Sequence, residues 1–166
     1  EQTPFDLRGI IRLNSGPFAN GKTANEGPAL SSLGRAYPNK VTGISIDSKA
    51  EKIYFLMGSV FSSNMEKGDT AAIFRINYND GTTLDFPIIA KEDIFDWWTP
   101  QKSPGLMEKE LQPENIGWIG VDYKGNGRGL VKPIWVNPHP EKSIATIDFI
   151  SGLIRCAPFV VGITIE

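Results

Sequence analysis

One histidine, one cysteine and a scatter of carboxylates bound the covalent and acid–base chemistry open to this 166-residue chain. His139 lies in Asn137-Pro138-His139-Pro140, and any Ser-His-Asp or Cys-His relay would have to run through it. Two flanking prolines make a stiff extended turn, which suits packing, a structural hydrogen bond or a ligand contact better than a proton shuttle. Paired carboxylates are the other catalytic device, and Asp93 with Asp96 or Glu108 with Glu110 are the candidates. A glycosidase needs two carboxyls about 5 Å or about 6.5–9.5 Å apart across a sugar-sized cleft. Nothing in these spacings imposes that, and the pairs read as solvated loop charges. Gly125-Asn126-Gly127-Arg128-Gly129 alternates glycine, yet no helix pattern follows to supply the terminus that makes a phosphate cradle work, so it reads as a hairpin loop. No catalytic residue is assigned, and the chain is read as a non-enzyme.

Binding is the better-supported chemistry. Trp97, Trp98, Trp118, Trp135 and Tyr123 lie near strand ends or loops together with Arg128 and His139, and Tyr37 is a further aromatic near a strand end. Aromatic faces stack on the C–H faces of sugar rings while neighbouring polar groups bond the hydroxyls. Trp97 and Trp98 are adjacent, so on a strand they would point to opposite faces, one into the core and the other capping it. From this reading Trp98→Ala should weaken sugar binding more than it lowers stability. No cofactor is implied. Loop carbonyls with Asp47, Asp122 or Asp148 leave room for a structural calcium, although no spacing singles these residues out.

Composition narrows the partners. Charged residues are 22% of the chain with a formal net charge of −2 and no block of one sign, so the basic stripe that displaces counterions from nucleic acid is missing. No window approaches the ~20 apolar residues of a membrane helix. Cys156, alone, permits neither an internal disulfide nor a cysteine-based zinc cluster, and just ahead of an apolar strand it reads as a small buried hydrophobe.

The elements that must position these residues are short strands. Phe5, Leu7, Ile11 and Leu13 alternate with polar residues as a first strand, and residues 14–40, rich in Gly, Pro, Asn and Ser, read as a long irregular surface segment. Ile44 and Ile46 open a second strand, and the run 53–57, apolar on both faces, suits a central one. Around Asn79-Asp80-Gly81, a two-residue turn would send the flanking apolar sets to different faces. A three-residue loop with Gly81 left-handed instead pairs Ile76 with Leu84 and Phe74 with Phe86, both sets facing the core. A loop with a helical turn at 106–111 follows, then strands at 116–122, 129–136, 143–151 and 158–166. The count of nine or ten strands predicts one all-β domain over residues 1–166, a two-sheet antiparallel sandwich of the jelly-roll or galactose-binding-like kind.

Taken in order, Val41-Thr42-Gly43-Ile44-Ser45-Ile46, Lys52-Ile53-Tyr54-Phe55-Leu56, Tyr78-Asn79-Asp80-Gly81-Thr82-Thr83, Asp96-Trp97-Trp98, Trp135-Val136-Asn137-Pro138-His139-Pro140 and Ile147-Asp148-Phe149-Ile150-Ser151 resemble a family. It is a bacterial family of extracytoplasmic β-sandwich domains attached to larger secreted proteins, including glycoside hydrolases, and similar to galactose-binding or carbohydrate-binding modules. The resemblance covers roughly residues 41–166. It implies a periplasmic or secreted setting with a signal peptide already removed, and a non-catalytic carbohydrate-binding or carbohydrate-associated role. A structural or protein-interaction sandwich is the alternative reading, and a small glycan-active hydrolase or lyase the third.

Overall fold

A computed structural model describes residues 3–17, 21–24, 36–61 and 65–166. They build two antiparallel sheets packed face to face. The first contains β1 (Ile11–Arg12), β10 (Ala157–Ile165), β3 (Lys52–Val60), β7 (Gly127–Val131) and β6 (Ile116–Val121) in that order, and β8 (Ile134–Val136) also pairs β3. The second runs β2 (Lys40–Ser48), β9 (Ile144–Ser151), β4 (Thr70–Tyr78), β5 (Thr83–Ile89). Two short helices, α1 (Thr99–Lys102) and α2 (Leu106–Glu110), and a 3-10 turn at Pro113–Asn115 join β5 to β6.

The core is the inner face of both sheets. Phe55 of β3 lies flat on Phe74 of β4, with ring centroids 3.8 Å apart and planes 16° apart, and Phe74 stacks on Phe149 of β9 at 4.7 Å. Around this stack are Ile53, Met57, Ile76, Ile88, Ile147 and Val160, all buried. β3 is covered on both faces, as its unbroken apolar run requires. The β4–β5 hairpin has the three-residue register predicted from its pattern: Ile76 faces Leu84 and Phe74 faces Phe86. The Tyr78 amide donates to Thr82 O, the Gly81 amide donates to Tyr78 O, and Gly81 has φ +84°. The Asp80 carboxylate accepts from the Thr82 amide and hydroxyl and pairs with Lys142, which together hold it well below the usual carboxylate range.

Three expectations need correction. The first strand shrinks to Ile11–Arg12, and Leu7 and Ile10 are each 59% exposed. β10 bulges between Val160 and Gly162, so the ladder that pairs Ile11 with Val160 cannot continue; Phe5 and Leu7 instead lie over the bare Cα of Gly162. The strand expected at 129–136 is two, because Pro133 supplies no N–H to a ladder; its carbonyl accepts from Phe55. Trp97 and Trp98 do not lie on a named strand, and their arrangement is described below. About half of the irregular segment expected at 14–40 lies outside the described residues, and its last residue, Lys40, opens β2.

The Asn137-Pro138-His139-Pro140 turn locks the exit of β8. Buried Asn137 accepts from the Tyr78 hydroxyl and the His139 amide and donates its side-chain N–H to Ala50 O. Cys156 is fully buried, and desolvation, with smaller contributions from Asp96 and Asp69, pushes its thiol up to about 12.

Phe74→Ala should cost about 3–5 kcal/mol, because it removes the middle ring of the inter-sheet stack; urea unfolding with an unchanged m value would measure it. Cys156 should ignore a disulfide thiol reagent at neutral pH until the chain unfolds. Modification of the folded protein at the rate of a free thiol would contradict its burial.

Candidate functional site

A single buried cation organises the aromatic end of the first sheet. β6 and β7 meet in a tight turn in which Asp122 Oδ1 accepts from the Lys124 and Asn126 amides and Oδ2 accepts from Asn126 Nδ2 and Arg128 Nη2. Arg128 Nη1 donates to Gln101 Oε1 and to Gly127 O. The guanidinium lies 3.3 Å from the centroid of the Trp98 ring and 4.9 Å from that of Trp97. Burial works against ionisation of Asp122, but the hydrogen bonds from Asn126 and Lys124 and the charge of Arg128 outweigh it, so its carboxyl titrates below the usual range.

The tryptophans reach this position through backbone bonds. The Ser59 amide donates to Phe95 O, the Trp97 amide donates to Ser59 O, and the Gly129 amide donates to Trp97 O, so residues 95–97 are wedged between β3 and β7. Asp96 Oδ1 accepts the Trp98 amide and its backbone carbonyl accepts the Thr99 amide, turning the chain into α1. Gly127 and Gly129 admit that helix: a Cβ at Gly127 would meet Gln101 N at 2.9 Å, and one at Gly129 would meet Met107 Sδ at 2.5 Å. Trp97 and Trp98 therefore stand edge to face, 5.9 Å apart, around one arginine, rather than on opposite faces of a strand.

Beside them lies an open cleft in two connected parts. One, of 300 Å³, is lined by Ile10, Arg12, Val60, Trp97, Trp118, Leu130, Phe159 and Val161. The other, of 400 Å³, adds Phe61, Asp96, Trp98 and Lys102 to the shared Arg12, Val60 and Trp97. Arg12, Leu130 and Phe159 each sit next in sequence to a residue packed in or on the core, namely Ile11, Val131 and Val160. The cleft therefore occupies the outer face of the first sheet. Gly58 opens its floor, since a Cβ there would meet the Phe159 ring at 2.9 Å and Leu130 at 3.3 Å. Trp118 is 44% exposed and lies across Gly120 of its own strand, where a Cβ would come within 2.3 Å of the indole.

Arg12 spans both parts of the cleft. Its guanidinium sits 4.4 Å from the Tyr37 ring centroid and 5.4 Å from that of Phe61, and Nη1 donates to the Tyr37 hydroxyl. Burial lowers its pKa, opposed by the charge and hydrogen bond of Tyr37. Nε is buried without a hydrogen-bond partner among the described residues, as is Trp97 Nε1. Asp96 pairs with Lys102 at 3.7 Å and is the one carboxylate among the described residues that line the cleft.

Of the residues singled out by sequence, the fold brings Trp97, Trp98, Trp118 and Arg128 together. Trp135 is buried in the core, paired with Ile53. His139 stands edge-on to Tyr78, 6.1 Å away, and near Glu141. Tyr123 is 92% exposed at the hairpin tip; neither His139 nor Tyr123 lines the cleft. Asp93 accepts the Ile89 amide and is pushed up by burial, so it secures its loop and does not join Asp96 in the cleft. Among the described residues no group of three or more His, Cys, Asp or Glu could hold a metal ion. Asp47 and Asp148 belong to the second sheet, and Asp148 accepts the Gly43 amide, whereas Asp122 serves Arg128 in the first. Arg12 and Phe61 had no sequence signal: an alternating Arg reads as a wet strand position, and their partners lie far along the chain.

Asp122→Ala should leave the Arg128 guanidinium buried without its carboxylate, lower the urea midpoint and red-shift tryptophan emission. Because the folded Asp122 carboxyl titrates below its unfolded value, its contribution is present above about pH 4 and lost as pH falls. Wild type should therefore lose more stability than Asp122→Ala on acidification from about pH 5 to about pH 3, and equal losses would refute this role. No protein family, curated protein or solved structure matches the chain.

Proposed function

We propose that this β-sandwich is a non-catalytic carbohydrate-binding module of an extracytoplasmic bacterial protein, and that the cleft on the outer face of its first sheet is the sugar site. The observation that carries this reading is Trp118, 44% exposed and lying across Gly120 of its own strand, beside Trp97 and a rim of Arg12, Asp96 and Lys102. A sugar ring presents an apolar C–H face to such an indole and hydroxyls to such a rim. Two buried donors on the cleft residues, Arg12 Nε and Trp97 Nε1, have no acceptor among the described residues, and buried donors are ordinarily satisfied. A shallow, open cleft fits a chain segment rather than an enclosed small molecule.

A second reading has one observation in its favour. β6 is an edge strand, Ile116–Val121, with no charged residue, and Trp118, Ile119 and Val121 are exposed on it. Uncharged apolar edges are where other chains add a strand. That reading makes the sandwich an interaction domain.

A glycan array followed by calorimetry separates the two. Trp118→Ala should weaken sugar binding about tenfold or more while changing stability by less than about 1 kcal/mol, as for other exposed positions. Trp98→Ala is the less selective probe, because it also removes the face on which Arg128 rests. Gly120→Ala should displace the indole and weaken binding with Trp118 still present. Silence on a broad array would refute the sugar reading, and concentration-dependent association abolished by a lysine at Ile119 would favour the edge.

A further inference from the structure

We propose that Arg12 makes the cleft selective for acidic saccharides, by pairing its guanidinium with the carboxylate of a uronic acid unit. The inference rests on the carbohydrate reading and deepens it. Arg12 is the residue common to both parts of the cleft that carries a full charge. Its only hydrogen bond among the described residues is from Nη1 to the Tyr37 hydroxyl, a neutral partner, and among them it makes no ion pair. Nε and Nη2, the edge of the guanidinium that pairs side-on with a carboxylate, have no acceptor there.

The contrast with Arg128 is informative. Arg128 is also sandwiched against aromatic rings, and its Nε, like that of Arg12, has no hydrogen-bond partner among the described residues, but its charge is met by Asp122 and its Nη1 by Gln101 and Gly127 O. Arg12 has the aromatic half of that arrangement, Tyr37 and Phe61, and lacks the carboxylate half. A half-buried cation in this state is stabilised by any anion that reaches it. The other charges facing the cleft do not supply one: Asp96 is engaged with Lys102 and with the Trp98 amide. With Arg12 and Lys102 against Asp96, the described residues that line the cleft carry one surplus positive charge. The carboxylate of a galacturonate unit projects equatorially from C5 of the pyranose, so a sugar stacked on the indole can extend that group toward Arg12, which lines the same part of the cleft.

The test is calorimetry of the full chain with oligogalacturonate and with the neutral galactan oligomer of the same length. Wild type should bind the uronate oligomer about tenfold more tightly, the value of one charge-assisted bidentate contact. That preference should shrink with added salt. Arg12→Met should abolish the preference, weakening the uronate oligomer about tenfold more than the neutral one, while Arg12→Lys should restore it in part, because it returns the charge without the fork. If Arg12→Met fails to fold, Arg12→Gln and the wild-type salt dependence supply the same comparison. Equal affinity for the two oligomers, or a preference that survives loss of Arg12, would overturn the acidic assignment with the sugar reading intact. Binding of neither oligomer, in a chain silent on the wider array, would overturn both.

Discussion

Phe55 laid flat on Phe74 is the contact on which the rest of the sandwich depends. The stack joins the middle strand of one sheet to a middle strand of the other, and its continuation to Phe149 fixes the neighbouring strand as well. A strand that must place such a ring inward has no freedom of register, because a slip of one residue would turn it to the outside. The hairpin at Asn79-Asp80-Gly81 and the ladder of β4 with β9, in which Phe74 faces Phe149 and Ile76 faces Ile147, are both consequences. Once the inner faces are committed in this way, the alternate residues of β10, β7, β6 and β1 are left to form a second apolar surface.

That outer surface is where the molecule departs from a minimal sandwich. An outward Phe159, Leu130 and Val60 would normally be replaced by polar residues on a solvated sheet. Here part of the surface is roofed by the segment wedged between β3 and β7, and part is left open as the cleft. Glycines set what packs on either face of β7. Gly127 and Gly129 allow α1 and α2 to close on one side of β7, and Gly58 and Gly120 leave the hollows that Phe159 and Trp118 fill on the other. Arg128 links the two regions, since its side chain reaches the hairpin carboxylate, α1 and the tryptophan faces at once.

Local chemistry made the sandwich legible in the sequence. Alternation identified the inward faces of β4, β5 and β9, the unbroken run of β3 marked it as central, and one turn's stereochemistry gave a register to the residue. Errors fell where a distant strand decides the outcome. The bulge in β10 ends β1, and no pattern within residues 5–13 reports it. Likewise Trp135 and Trp118 look alike as strand tryptophans. One is buried because β8 pairs central β3, and the other is open because β6 is an edge. Composition located the aromatics; only sheet order sorted them.

The same logic explains why the charged centre of the cleft was invisible. Arg12 alternates with Ile11 and Leu13, the pattern of a side chain turned to water, and the pattern is correct: it does face out from the core. What sequence spacing cannot convey is that loop residues cover part of the outer face of this sheet. Tyr37, Phe61 and Trp97 come from separate connections between strands, and each is placed by a different ladder before any of them meets Arg12. A polar residue on the outside of a sheet thus becomes a half-buried one when three loops converge on it. Such positions, polar by pattern and desolvated by topology, are where a sandwich can acquire a specific ligand contact without disturbing the stack that holds it together.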